Sequence, residues 1–176
     1  SFPEGKNIHF GIREHAMAAV TNAISLYGLF TPFSSTFFVF SDYMVPACRM
    51  ASLSNLRHFF IWTHDSIGVG EDGATHQPIE HLTQIRCLPR FYTFRPADAL
   101  ENVACWKTAL KLQDPCAFVL SRQKLPVMDL PKIAGDIDRG GYLAHQEEGA
   151  RLTLIATGSE VSLAWEACRE LNAEGV

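Results

Sequence analysis

Apolar residues in this chain come in short patterned runs separated by polar, glycine-bearing stretches. After Ala16 they occupy Ala19, Val20, Ala23, Ile24 and Tyr27, the i, i+3, i+4, i+7 spacing that lays one stripe along a helix. Gly28 follows, where helices commonly close in the left-handed conformation. Phe37, Phe40, Met44, Ala47 and Ala51 repeat the spacing and predict a second helix, which Pro46, lacking a backbone donor, either kinks or restarts. Phe59 to Thr63 is a bulky apolar run that predicts a buried strand feeding the polar, Gly-rich loop from His64 to Gln77. Asp98 and Glu101, after Pro96, form a capping pair for a helix with Ala99, Val103, Trp106 and Leu110 on one side. Cys116 to Leu120 predicts another buried strand.

From Leu125 to Arg151 the pattern loses any steady period, and Gly140-Gly141 and Glu147-Glu148 fall inside it. Beyond it, Leu152 to Ala156 reads as a strand, Thr157-Gly158 as a turn, and Ser159-Glu160 as the start of a helix with Val161, Ala164, Cys168 and Leu171 inward. The chain thus divides into a domain over 1–125, a linker over 126–150, and the first strand and helix of a further domain over 151–176. Strand and helix alternate throughout, which predicts an α/β fold, a parallel sheet with helices on both faces. Ser1 in place of an initiator Met, and an end at Glu174-Gly175-Val176 where a helix would turn into another strand, read as cuts in a longer protein.

Composition narrows the function classes. With 176 residues, 47% of them hydrophobic, the chain can bury a sizeable core. A net charge of −4 with scattered Lys and Arg gives no basic stripe for nucleic acid or an anionic membrane surface. The five cysteines include no CxxC pair and read as reduced core thiols. No apolar run approaches the roughly 20 residues of a membrane span, so the expected setting is cytoplasmic.

The richest segment for chemistry is the loop from His64 to Pro78. It follows a buried strand, where open α/β sheets place ligands, and its glycines let His64, Asp72 and His76 converge. Such residues move protons or grip hydroxyls, as a polar small-molecule site requires. They also suit a solvated loop whose side chains cap its own backbone, or a metal site, although no short ligand spacing is present. Glu14, after Arg13, stands where a helix dipole favours a carboxylate. Arg122 follows a strand end, placed either for a phosphate or for a surface ion pair. Phe37, Phe40 and Tyr43, at steps of three, either pave a patch for a flat ring or form a core stripe.

Taken together, these segments closely resemble the transketolase family in order and spacing. The resemblance rests on Gly11-Ile12-Arg13-Glu14-His15-Ala16-Met17, Ser35-Thr36-Phe37, the loop from Thr63 to Pro78, Leu120-Ser121-Arg122-Gln123, Gly140-Gly141-Tyr142 and Ile155-Ala156-Thr157-Gly158-Ser159-Glu160-Val161, and spans nearly the whole chain. It implies the domain that holds the pyrimidine end of thiamine diphosphate, followed by the start of the C-terminal domain. The implied enzyme moves a two-carbon ketol unit from a ketose phosphate to an aldose phosphate. Its site lies between the subunits of a homodimer, where the other chain's diphosphate-binding domain carries a divalent metal, magnesium or calcium. No metal ligand is therefore expected in this chain.

Residue by residue, the resemblance makes Glu14 the glutamate that hydrogen-bonds the aminopyrimidine ring nitrogen, a buried carboxyl favouring the imino tautomer. Phe37, Phe40 and Tyr43 resemble the aromatic pocket around that ring. His76 resembles the histidine beside the donor's C1 hydroxyl and carbonyl, Asp72 the aspartate that accepts from the acceptor's C2 hydroxyl, and His64 with Arg122 the phosphate grip. Ala74, Lys124 and Pro46 depart from the family pattern without removing a functional group. Deoxyxylulose-phosphate synthase shares the loop type but typically lacks the Thr-His-Asp-Ser start found at Thr63 to Ser66, and dihydroxyacetone synthase is a relative within the family. A non-catalytic module of the same fold has no need of Glu14, His64, Asp72, His76 and Arg122.

Overall fold

Four parallel strands form one sheet in the computed structural model, which describes residues 5–128 and 137–175. The strands are β1 (Phe33–Phe37), β2 (Phe59–Thr63), β3 (Tyr92–Phe94) and β4 (Cys116–Leu120), in the order β1-β2-β4-β3. The register pairs Phe60 with Ser34 and Ala117, and Trp62 with Thr36 and Val119. Side chains alternate across a strand, so the two central strands β2 and β4 each feed two cores. Phe60, Trp62, Ala117 and Val119 point into one, beside Phe38, Met44, Ala47, Ala51 and Ile85. Phe59, Cys116 and Phe118 point into the other, beside Cys105 and Ala109. Helices α1 (Glu14–Tyr27), α2 (Val45–Leu53) and α3 (His81–Arg86) serve the first core and α4 (Ala99–Ala109) the second, so helices cover both faces of the sheet, as the sequence predicts.

Gly28 closes α1 at φ 84°, its N–H donating to Ser25 O. The buried face of α1, however, carries Ala18, Thr21 and Asn22, while the predicted stripe of Ala19, Val20, Ala23 and Tyr27 is exposed. Likewise α4 begins at the predicted cap, with Asp98 Oδ1 accepting from Glu101 N at 2.8 Å, yet it buries Cys105 and Ala109 and leaves Val103 and Leu110 outside. A stripe records which positions are apolar. It does not record which partner covers them.

The polar side of α1 is fastened by a buried network. Asn22 Nδ2 donates to Ala47 O, and Asn22 Oδ1 accepts from His58 Nδ1, each at 2.8 Å. With its Nδ1 donating, neutral His58 accepts at Nε2 from Ser34 Oγ at 2.8 Å, and its ring stacks on Phe60 with centroids 3.6 Å apart. One imidazole therefore joins α1, β1 and β2.

After β4, part of the predicted linker runs along α4. Met128 N donates to Asp98 Oδ2, Asp138 accepts from Thr108 Oγ1 and pairs with Lys111, and Tyr142 Oη donates to Glu101 Oε1. Residues 129–136 of that linker lie outside the described residues. The strand predicted over Leu152 to Ala156 does not form; these residues carry no sheet pairing, and Ile155 is 91% exposed. A strand needs a hydrogen-bonding neighbour, and among the described residues none stands beside this one. The following helix, α5 (Glu160–Ala173), forms as predicted, with Val161, Ala164, Cys168 and Leu171 half-buried along one side.

Candidate functional site

The segments leaving the C-terminal ends of β1, β2 and β4 emerge on one side of the sheet, the place where open parallel sheets bind ligands. β1 ends at Phe37 and passes without a loop into a 3₁₀ helix, Phe38–Tyr43. Three residues per turn eclipse positions three apart, so the sequence step of three becomes a ladder. Phe37 and Phe40 stack at 6.3 Å with planes 13° apart, and Phe40 and Tyr43 at 6.2 Å and 24°. This corrects the helical stripe expected from Phe37 to Ala51. Phe37 belongs to a strand, Phe40 and Tyr43 to the 3₁₀ turn, and only Ala47 and Ala51 to α2. Pro46 stands in the first turn of α2, where its missing donor costs no hydrogen bond, so it marks a restart rather than a kink.

Two histidines close on the ladder. His64 stacks on Phe37 at 3.6 Å and 22°, its Nδ1 sharing a hydrogen bond with Thr63 Oγ1 at 2.9 Å. His76, in a short 3₁₀ turn (Ala74–His76), meets Phe40 edge-on at 5.4 Å and 82°, its Nδ1 sharing a hydrogen bond with Thr75 Oγ1 at 2.9 Å. His64 holds φ at 60°, the left-handed region that a side chain with a Cβ rarely adopts. Such a conformation persists only where the surroundings impose it. Here the next residue supplies the restraint: Asp65 is buried and pairs with Arg95, Nη2 to Oδ2 at 2.7 Å and Nε to Oδ2 at 2.9 Å.

The remaining candidates sit around this cluster. Glu14 is the first residue of α1, half-buried rather than buried as expected, on a helix that packs against β1 and the 3₁₀ turn. Arg122 is exposed, two residues beyond Leu120, whose partner across the sheet is Thr63, so Arg122 and His64 leave neighbouring strands at the same edge. The Gln123 side chain abuts Gly68, leaving 3.0 Å to where a Cβ would stand, and so closes the β4 loop against the β2 loop. Asp72 is exposed between Gly70 (φ 86°) and Gly73 (φ 74°) and makes no ion pair among the described residues. The ring cluster thus gathers Phe37, Phe40, Tyr43, His64 and His76. Glu14 opens the helix packed against the 3₁₀ turn, and Arg122 follows the strand paired with β2.

Sequence reasoning passed over Asp65 and Arg95, although Asp65 lies inside the loop it singled out. The available signal was an arginine directly before Pro96 at the end of an aromatic strand. Among the described residues, no group of three or more His, Cys, Asp or Glu is placed to hold a metal ion.

A parallel sheet covered on both faces, with a ladder of stacked rings and two histidines where its strands end, defines an α/β domain of the open-sheet type. Residues 1–128 match the family model for the transketolase pyrimidine binding domain. A transketolase from Staphylococcus aureus (strain MW2) is 47% identical over 177 residues, covering 98% of this chain and 27% of that protein. The crystal structure of transketolase from Campylobacter jejuni superposes with a TM-score of 0.95 at 59% identity, over 99% of this chain and 27% of that one. A Pichia stipitis transketolase solved with sedoheptulose-7-phosphate gives 0.89 at 41% identity, over 94% and 25%. The chain belongs to the transketolase family, through its pyrimidine-binding domain. It spans about a quarter of the length of these relatives.

Proposed function

We propose that this chain supplies the pyrimidine-holding side of a thiamine-diphosphate site that transfers a two-carbon ketol unit between sugar phosphates. The observation that carries the reading is the ladder Phe37–Phe40–Tyr43 with His64 and His76 against it. Its faces suit a planar heteroaromatic ring, since offset and edge-to-face contacts contribute about 0.5–1.5 kcal/mol each. Family membership and the sugar phosphate in the Pichia stipitis relative point the same way.

When bound, thiamine diphosphate supplies the thiazolium carbon that loses a proton and carries the ketol unit. Glu14 hydrogen-bonds the pyrimidine ring nitrogen and holds the proton there, at a helix N-terminus that favours a carboxylate. His76 stands beside the donor sugar's reacting end, and Asp72 accepts from the acceptor's C2 hydroxyl. His64 and Arg122 grip the phosphate at the far end, which fixes the sugar's length against the reacting carbons.

The diphosphate and its magnesium or calcium ion belong to a diphosphate-binding domain that the partner subunit of a homodimer brings. The exposed apolar side chains Val20, Leu26, Tyr27, Leu29, Phe30 and Phe33, on α1 and just after it, support such a partner, because scattered exposure seldom gathers so many in one stretch. Residues 151–176 read as the beginning of a further domain. No helix among the described residues is long and apolar enough to cross a membrane, and our reading places the enzyme in the cytoplasm.

Replacing Arg122 with alanine in the polypeptide that carries this chain tests the phosphate assignment. KM should rise far more for phosphorylated sugars than for unphosphorylated ketol donors, because only the former offer an anion to the guanidinium fork. Steady-state kinetics with both donor types decides; equal losses would make Arg122 merely structural.

A further inference from the structure

The segment Thr157-Gly158-Ser159-Glu160 has no part in the function proposed above, yet it is packed onto a buried charge next to the site. The Arg95 side chain is 5% exposed and that of Asp65 1%. One side of the guanidinium holds Asp65 Oδ2; the other donates from Nη1 to Thr157 O at 2.8 Å and Thr157 Oγ1 at 3.2 Å, and from Nη2 to Ser159 Oγ at 3.3 Å and Glu160 Oε1 at 3.1 Å, with Nη1 also paired to Glu160 Oε2. Gly158 makes this possible. At φ 59° its backbone lies so close that a Cβ would stand 2.8 Å from Arg95 Cγ, Nε and Cζ. The Arg95 hydrogen bond holds the Glu160 carboxyl below its usual range.

Asp65 is the immediate neighbour of His64, whose left-handed φ needs an external restraint. We infer that Arg95 is a positioning residue: it ties Asp65 to the 157–160 turn, so the orientation of the His64 ring over Phe37 depends on a segment about ninety residues further along the chain. A two-sided, largely buried guanidinium can transmit this because its planar fork fixes both partners at once. Its kinetic consequence rests on the reading of His64 as a phosphate contact.

The test uses assigned histidine ring resonances in the full chain, in Gly158→Ala and Glu160→Gln, neither of which removes a buried charge. His64 on Phe37 and His58 on Phe60 are each stacked at 3.6 Å, so each carries a ring-current shift, and His58 reports whether the core is intact. The expected result is a changed His64 shift with His58 unmoved, in both variants. If Gly158→Ala disturbs His58 as well, Glu160→Gln decides alone. A His64 shift unchanged beside an intact His58 overturns the inference. In the enzyme, Gly158→Ala should then raise KM for phosphorylated donors selectively, by up to about 10²-fold. A moved His64 with no donor selectivity would refute its phosphate role while leaving the tether standing.

Discussion

Glu14→Ala, in the polypeptide that carries this chain, should lower turnover by about 10²–10⁴-fold, the usual span for losing a positioned acid/base group. Glu14 opens α1, the helix that packs against the 3₁₀ turn bearing Phe40 and Tyr43. The effect should fall on kcat rather than on KM for either sugar, since the proposed role of the carboxyl is toward the cofactor ring and not the substrate. Glu14→Gln separates proton holding from shape. The amide keeps the length and a hydrogen-bonding capacity but cannot share a proton, so it should lose nearly as much as alanine. Single-turnover and steady-state rates measure this, and a glutamine variant near the native rate would remove Glu14 from the chemistry.

A second large effect is expected from acid. Burial pushes the His58 imidazole down to about 3 from an ordinary value of 6.5, and its immediate partners, Asn22, Ser34 and Phe60, carry no charge that would offset it. The sign follows from proton uptake: below pH 6.5 the unfolded chain binds a proton at His58 that the folded chain refuses until about pH 3. Stability from this group is therefore complete above pH 6.5 and lost progressively between pH 6.5 and 3. Between pH 7.5 and 5 the loss amounts to about 2 kcal/mol, from about 1.36 kcal/mol per unit of protonation difference. Urea denaturation at the two pH values should show that loss in the native chain, with His58→Gln losing about 2 kcal/mol less. Equal pH dependence in the two proteins would show that His58 is charged, or solvated, in the fold.

Much of the architecture was legible because strands and caps are local. Phe59 to Thr63 and Cys116 to Leu120 announce themselves as short bulky runs, and Asp98 with Glu101 as a cap. Faces were less legible. In α1 and α4 the apolar positions outnumber those the described residues cover; the covered face of α1 includes Thr21 and Asn22, which no hydrophobicity rule selects, and that of α4 is Cys105 and Ala109, one position away from the predicted stripe. The ladder's step of three was visible in the sequence. Read as an approximation to 3.6 it gave an α-helix; taken literally it is the 3₁₀ repeat. Leu152 to Ala156 has a strand's composition but no neighbour among the described residues, since pairing is a property of two segments. The ties through His58 and Arg95 join residues 24 to 65 positions apart and leave no local signature. Of the site, the composition of the His64 loop was apparent at once, whereas the stacking of His64 and His76 on the phenylalanines required the fold.

The proposed function makes these residues one side of a shared cofactor site. The outer rung of the ladder, Tyr43, is 62% exposed, so a pyrimidine ring placed there stays open to water on one side. Such a contact buries too little surface to offset the association cost of about 4–15 kcal/mol. Isothermal titration of the 176-residue chain with thiamine diphosphate and magnesium measures this directly. The predicted result is no saturable heat from the chain alone, and saturable binding once the polypeptide includes a diphosphate-binding domain. Saturable binding to the chain alone in the low micromolar range, about −8 kcal/mol, would contradict the account and require a complete cofactor site within these residues.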